Sequence, residues 1–118
     1  MERILKEINT VVGVAGSFIC DNEAHVLAFN MPELFDESIL SNVGRIMIQT
    51  LASLSIARRR KIAEIDLVYN QSRFIAKNLG EGCLCILCTR KINLPLLNLT
   101  ANVAAKKLIP SLRTGGKN

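Results

Sequence analysis

The chain has 118 residues, 49% of them hydrophobic and 21% charged, which suits one packed domain and excludes a disordered chain. Aromatic residues make up 4% and tryptophan is absent, so the core must be aliphatic, while a net charge of +5 leaves room for an anionic partner. No apolar run approaches the ~18 residues of a membrane span, and Met1-Glu2-Arg3 leads into an amphipathic pattern rather than a signal-peptide core, so the expected compartment is the cytoplasm.

Glu2 to Val12 reads as a first helix, with Ile4, Leu5, Ile8, Val11 and Val12 on one side and Gly13 as its stop. Val14 to Cys20 carries few charges on either face and reads as a central strand. Gly16 within it would let something pack closely across the sheet. A polar turn, Asp21 to Ala24, returns the chain through a strand at His25–Asn30, which makes a hairpin.

Phe35 to Arg60 reads as one long helix. Asp36 is a fitting N-cap and Glu37 suits the first turn, while Arg58 to Lys61 suit the C-terminal end. One apolar face is Ile39, Val43, Ile46, Met47, Thr50 and Leu54, flanked by Leu40 and Leu51. A second, nearly opposite, is Ser41, Gly44, Ile48, Ala52 and Ser55, small residues with almost no charge. Two uses are open for that face: packing within the same domain, or packing on a partner subunit. If it meets a partner, Ile48→Arg or Gly44→Leu should break the assembly and spare the core.

Three strands follow. Lys61 to Asn70 alternates, with Ile65, Leu67 and Tyr69 on one face and Glu64, Asp66 and Val68 on the other. Gln71-Ser72 is a turn, Arg73 to Asn78 alternates again, and Leu79 to Gly82 is a second turn. Cys83 to Thr89 is apolar on both faces and reads as another central strand. The last helix begins near Asn93 and Pro95, buries Leu97, Ala101, Ala104, Ala105 and Leu108, and is expected to stop at Pro110. Residues 114–118 read as a frayed tail. The order is α-β-β-α-β-β-β-α in one domain over residues 1–113, with helices over both faces of the sheet.

Sets of residues that could carry chemistry are thin. Four cysteines invite a zinc reading, but Cys83 and Cys85 share a strand face while Cys88 points the other way, so buried thiols are expected. His25, the single histidine, lies near Ser17 and Cys20 without a nucleophile elbow and reads as a surface residue. Glu64 and Asp66 share a face but lack a second acidic pair or a metal-ligating histidine. Gly80-Glu81-Gly82 lies between strands with no helix after it, and Gly115-Gly116-Lys117 lacks the flanking elements of a phosphate loop. No metal or other cofactor and no catalysis are expected, and the sequence points to an interaction module. Arg58 to Lys61 have no aromatic residues interleaved for base stacking, so nucleic acid is not the expected partner. An anionic surface is the alternative for that cluster.

Val12-Gly13-Val14-Ala15-Gly16, with Asp21 beyond it, and Leu79-Gly80-Glu81-Gly82-Cys83-Leu84 stand in an order and spacing that resemble the Roadblock/dynein-light-chain family. The likeness runs from Leu5 to Ile109, and departs at Ala24, where the family usually has glycine. The resemblance implies an α+β three-layer sandwich, the profilin-like Roadblock fold. Its five-stranded, mostly antiparallel sheet would have the order 2-1-5-4-3, with the long helix on one face and the other two helices opposite. It also implies a homodimer in which the long helices pack together and the third strands pair. The partner class it implies is a small Ras-like GTPase, or an adaptor complex as for dynein light chains. The candidate dimer interface is then Ser41, Gly44, Arg45, Ile48, Ala52 and Ser55 on the helix, with Glu64, Asp66 and Val68 on the edge strand.

Overall fold

A computed structural model describes residues 1–113, and the expected tail at 114–118, with its glycine pair, lies outside the described residues. The elements are α1 (Glu2–Asn9), β1 (Val14–Asp21), β2 (Val26–Asn30), α2 (Glu37–Arg58), β3 (Glu64–Tyr69), β4 (Ser72–Asn78), β5 (Gly82–Thr89) and α3 (Leu94–Arg113). The strands form one sheet in the order β2-β1-β5-β4-β3, and every neighbouring pair is antiparallel. The two charge-poor strands, β1 and β5, lie side by side away from the sheet edges.

Two cores follow from the alternation of side chains along these strands. On one face Ile19, Ile75, Leu84 and Ile86 pack with Leu5 and Ile8 of α1 and with Leu97, Ala101, Ala104 and Leu108 of α3. On the other, Phe18, Cys20, Ala76, Cys83 and Cys85 pack with Leu40, Met47 and Leu51 of α2. The long helix thus covers one face and the two others cover the second, as the resemblance implied. A Cβ on Gly16 would stand 2.6 Å from Met31 Sδ and 2.9 Å from the Asn30 carbonyl. The closely packing partner is therefore the chain leaving β2.

Some element ends differ from expectation. α1 stops at Asn9, three residues early, because Thr10 Oγ1 donates to the Glu7 carbonyl at 2.6 Å and the chain tightens there. Val12 consequently stands 90% exposed instead of joining the core. Gly13, at φ +99°, turns the chain into β1 rather than ending the helix. α3 runs through Pro110 to Arg113: in the last turn a missing N–H loses one bond, and buried Leu112 holds that turn to the core. β4 begins at Ser72, which pairs with Tyr69, so the turn is Asn70-Gln71 with Asn70 at φ +54°.

The β1–β2 turn is organised by one carboxylate. Asp21 Oδ1 accepts the backbone N–H groups of Glu23 and His25, each at 2.9 Å, and Oδ2 lies 3.0 Å from His25 Nδ1. Ala24 takes the left-handed conformation at φ +66°, so the turn keeps the geometry for which glycine is the usual residue. Burial pushes the Asp21 carboxyl up, but the bonds from the His25 backbone, the His25 ring and the Glu23 backbone outweigh it and hold the pKa below its ordinary value. A folded pKa below the unfolded one gives stability that is present above the ordinary carboxylate range and lost as pH falls through the folded value. Asp21→Asn should therefore lower stability at neutral pH and flatten its decline toward about pH 3, measured by urea unfolding. An unchanged pH dependence would contradict this role.

Candidate functional site

α2 is fixed at both ends by local bonds. Asp36 Oδ1 accepts the Ile39 N–H at 2.9 Å, and the last turn closes on Arg59 at φ +53°, with the Arg60 N–H donating to the Ser55 carbonyl at 3.1 Å. Its buried line is Leu40, Gly44, Met47 and Leu51. A Cβ on Gly44 would lie 2.8 Å from Cys20 Sγ and 3.6 Å from Phe18, so the helix backbone seats directly on β1.

This corrects the expected division of faces. Gly44 points into the core, not toward a partner. Ser41 and Ser55 are half-buried and tied to their own protomer: Ser41 Oγ donates to the Ala24 carbonyl, and Ser55 Oγ donates to the Leu51 carbonyl and accepts the Ile62 N–H. Ile48, also half-buried, lines a cavity of about 270 Å³ with Ala52, Ser55, Asn22, Asn78 and Gly80. Arg45 and Ala52 remain exposed, and Arg45 Nη1 donates to Asn42 Oδ1 at 3.2 Å. The physical reason is the floor beneath the helix: Cys20 Sγ lies so close that only a residue without a side chain fits at the point of closest approach.

What faces outward instead is Ile39, Ile46 and Ile56, with Gln49 and Ser53 between them; Ile46 is 57% exposed. Ile39 and Ile46 belong to the first apolar face of the sequence pattern, which is thus divided between core and solvent. Between Glu37 and Arg58 the single charged residue is Arg45. By length and composition α2 is apolar enough to cross a membrane, contrary to the expectation that no such stretch exists, yet only 22% of its most apolar 18-residue stretch is buried. Here it lies on a sheet with one side packed and the other uncovered.

Beside it, β3 forms the end of the sheet and, among the described residues, pairs with β4 alone. Its residues had been expected to present Glu64, Asp66 and Val68 to a partner. Glu64 instead accepts from Lys77 Nζ, which also donates to Asn98 and Asn102 of α3, and Asp66 accepts from Arg73 Nε at 3.0 Å. The two acids thus serve their own sheet face, while Val68 stays 45% exposed. On the α2 side Leu67 and Tyr69 are exposed, and with Phe35, Phe74 and Leu87 they border an apolar hollow of about 370 Å³. A depression of about 280 Å³ lies along α2 itself at Ile46, Thr50 and Leu54. The uncovered helix side and the open edge strand therefore share one side of the molecule.

Under Gly44 three thiols meet: Cys20 Sγ lies 3.4 Å from Cys83 Sγ, which lies 3.5 Å from Cys85 Sγ, all fully buried. Cys88 belongs to the opposite core, as strand alternation required. Hydrogen bonds to Cys20 and burial hold Cys83 and Cys85 protonated, well above the ordinary thiol range. Burial raises Cys88 as well. No group of three or more His, Cys, Asp or Glu side chains among the described residues is arranged to hold a metal ion. His25 is exposed and engaged with Asp21.

Comparison with known proteins adds sequence relatives and structural neighbours. No family model matches the chain. It is 31% identical over 117 residues to "Uncharacterized protein MJ0714" of Methanocaldococcus jannaschii, covering 92% of each chain. A second protein of that organism, MJ1340, is 29% identical over 92% of this chain and 96% of its own. Among solved structures, a Roadblock/LC7 domain from Streptomyces avermitilis superposes with a TM-score of 0.83 at 12% identity, over 96% of this chain and 98% of that one. MglB of Myxococcus xanthus gives 0.77 at 13% identity, over 96% and 84%.

The inward seat of Gly44 and the outward side of Ile46 make opposite demands on substitutions. Gly44→Leu should destabilise the fold by about 2 kcal/mol or more through overpacking. Ile46→Arg should change protomer stability by no more than about 0.5 kcal/mol, as for other surface changes. Urea unfolding of the two variants checks both, and the reverse ranking would contradict the assigned faces.

Proposed function

The chain belongs to the same family as the MJ0714 protein of Methanocaldococcus jannaschii and carries the Roadblock/LC7 fold, and from that premise we propose that it is a non-catalytic, homodimeric module that binds a small Ras-like GTPase or organises a complex around one. The observation that carries the dimer is the uncovered side of α2 beside the open edge of β3. Ile39 and Ile46 expose apolar surface in a stretch with one charge. Burial against a second copy would remove that surface from water at roughly 25 cal/mol per Å². An edge strand leaves a row of backbone N–H and C=O groups unpaired, and natural proteins avoid leaving such an edge long, apolar and open. Pairing with the β3 of a second copy satisfies these groups and extends the sheet.

The interface so formed has Ile39, Ile46, Arg45, Ala52 and Ser53 on the helix and Leu67, Val68 and Tyr69 on the strand. It keeps Arg45, Ala52 and Val68 from the sequence reading and replaces Ser41, Gly44, Ile48, Ser55, Glu64 and Asp66, which pack or bond within the protomer. The GTPase part of the proposal rests on the family resemblance and on the likeness of fold to MglB.

Light scattering should give twice the protomer mass of 13.0 kDa for the native chain, and Ile46→Arg should return it to one protomer. A native chain at one protomer mass across micromolar concentrations would contradict the dimer. Size-exclusion chromatography with Ras-like GTPases of the same genome, loaded with GDP or GTP, should show co-elution with at least one. Co-elution with none would contradict the GTPase assignment, and retention of other proteins alone would favour an adaptor.

A further inference from the structure

We propose that Arg58, Arg59, Arg60 and Lys61, with Ile56 beside them, form a docking surface for an anionic phospholipid membrane. All four cations are exposed, and none takes part in the ion pairs found among the described residues, which engage Arg73, Lys77, Lys107 and His25. Acids pair with cations elsewhere in this fold and leave this cluster free. Termination of α2 does not account for it. A cation complements the helix dipole only within the last turn, and Arg59, Arg60 and Lys61 lie past the last helical residue. Arg59 even occupies the left-handed closing position at φ +53°, where glycine or asparagine is the favoured residue.

The neighbouring side chain decides the kind of partner. Ile56, whose carbonyl accepts the Arg59 N–H, is 80% exposed, among the most exposed large apolar residues of the chain. Clustered Lys and Arg next to an exposed aliphatic group match the interface of an anionic bilayer, where the cations meet lipid phosphates and the aliphatic group enters the headgroup boundary. A single-stranded nucleic-acid surface would call for aromatic side chains on which bases stack, and residues 56–62 contain none. Its residues all come from one protomer and lie C-terminal to the helix residues assigned to the dimer, Ile39 to Ser53.

The test is flotation of the full chain with vesicles rich in phosphatidylglycerol and with vesicles of pure phosphatidylcholine. Binding is expected to the anionic vesicles only and should fall at about 0.5 M salt, where screening shortens the reach of the charges. Arg60→Glu with Lys61→Glu should weaken binding at least about tenfold, with an unchanged circular dichroism spectrum as evidence of folding. Ile56→Ser, at an exposed position, should weaken it several-fold with the unfolding midpoint unchanged. No binding to anionic vesicles, equal binding to neutral ones, or indifference to the charge reversal would overturn the proposal. So would tighter binding to duplex DNA than to anionic vesicles at equal salt, with Ile56→Ser without effect on either, which would assign the patch to nucleic acid.

Discussion

The seat of α2 on the sheet, where Gly44 rests on Cys20 and Phe18, is the contact on which the rest of the molecule depends. It brings the helix backbone down to a floor whose other residues are the small thiols of Cys83 and Cys85. Close approach at that point sets the rotation of the helix about its axis. That rotation sends Leu40, Met47 and Leu51 inward and leaves Ile39, Ile46 and Ile56 in water. Small, polarisable thiols suit this position, since they fill the core under a glycine.

Much of the architecture was legible in the chain. β1 and β5 were identifiable as central because both faces of each are apolar, and the helix caps were marked by Asp36 and by the basic run at Arg58. The rotation of α2 was not legible, for a definite physical reason. Periodicity reports which residues share a face, but choosing the buried face normally relies on charge on the opposite one. α2 has a single interior charge, so either face could have been the core, and the closest approach, of Gly44 to Cys20 across the interface, fixes which face is buried. No pattern within residues 37–58 carries that information.

The edge strand gives a second case, in which the signal was present. A turn placed at Gln71-Ser72 would set Asp66 opposite Lys77, whereas the actual turn at Asn70-Gln71 sets Glu64 opposite Lys77. Asn70 tolerates a left-handed conformation well and marks the correct position. With that register, the pairing of Glu64 with buried Lys77, and its extension to Asn98 and Asn102, ties the edge of the sheet to α3. The acids are then part of the support for β3, and the strand's contribution to an interface comes from its backbone edge and from Leu67, Val68 and Tyr69.

These constraints make one side of the protomer incomplete alone: an apolar helix side with little charge, and next to it a strand with half of its backbone groups unpaired. Hydrogen–deuterium exchange of the β3 backbone, followed across protein concentration, reports on this most directly. If a second copy completes the sheet, the outward-directed amides between Glu64 and Tyr69 will exchange slowly at high concentration and faster on dilution. Fast exchange of those amides at every concentration would contradict the account.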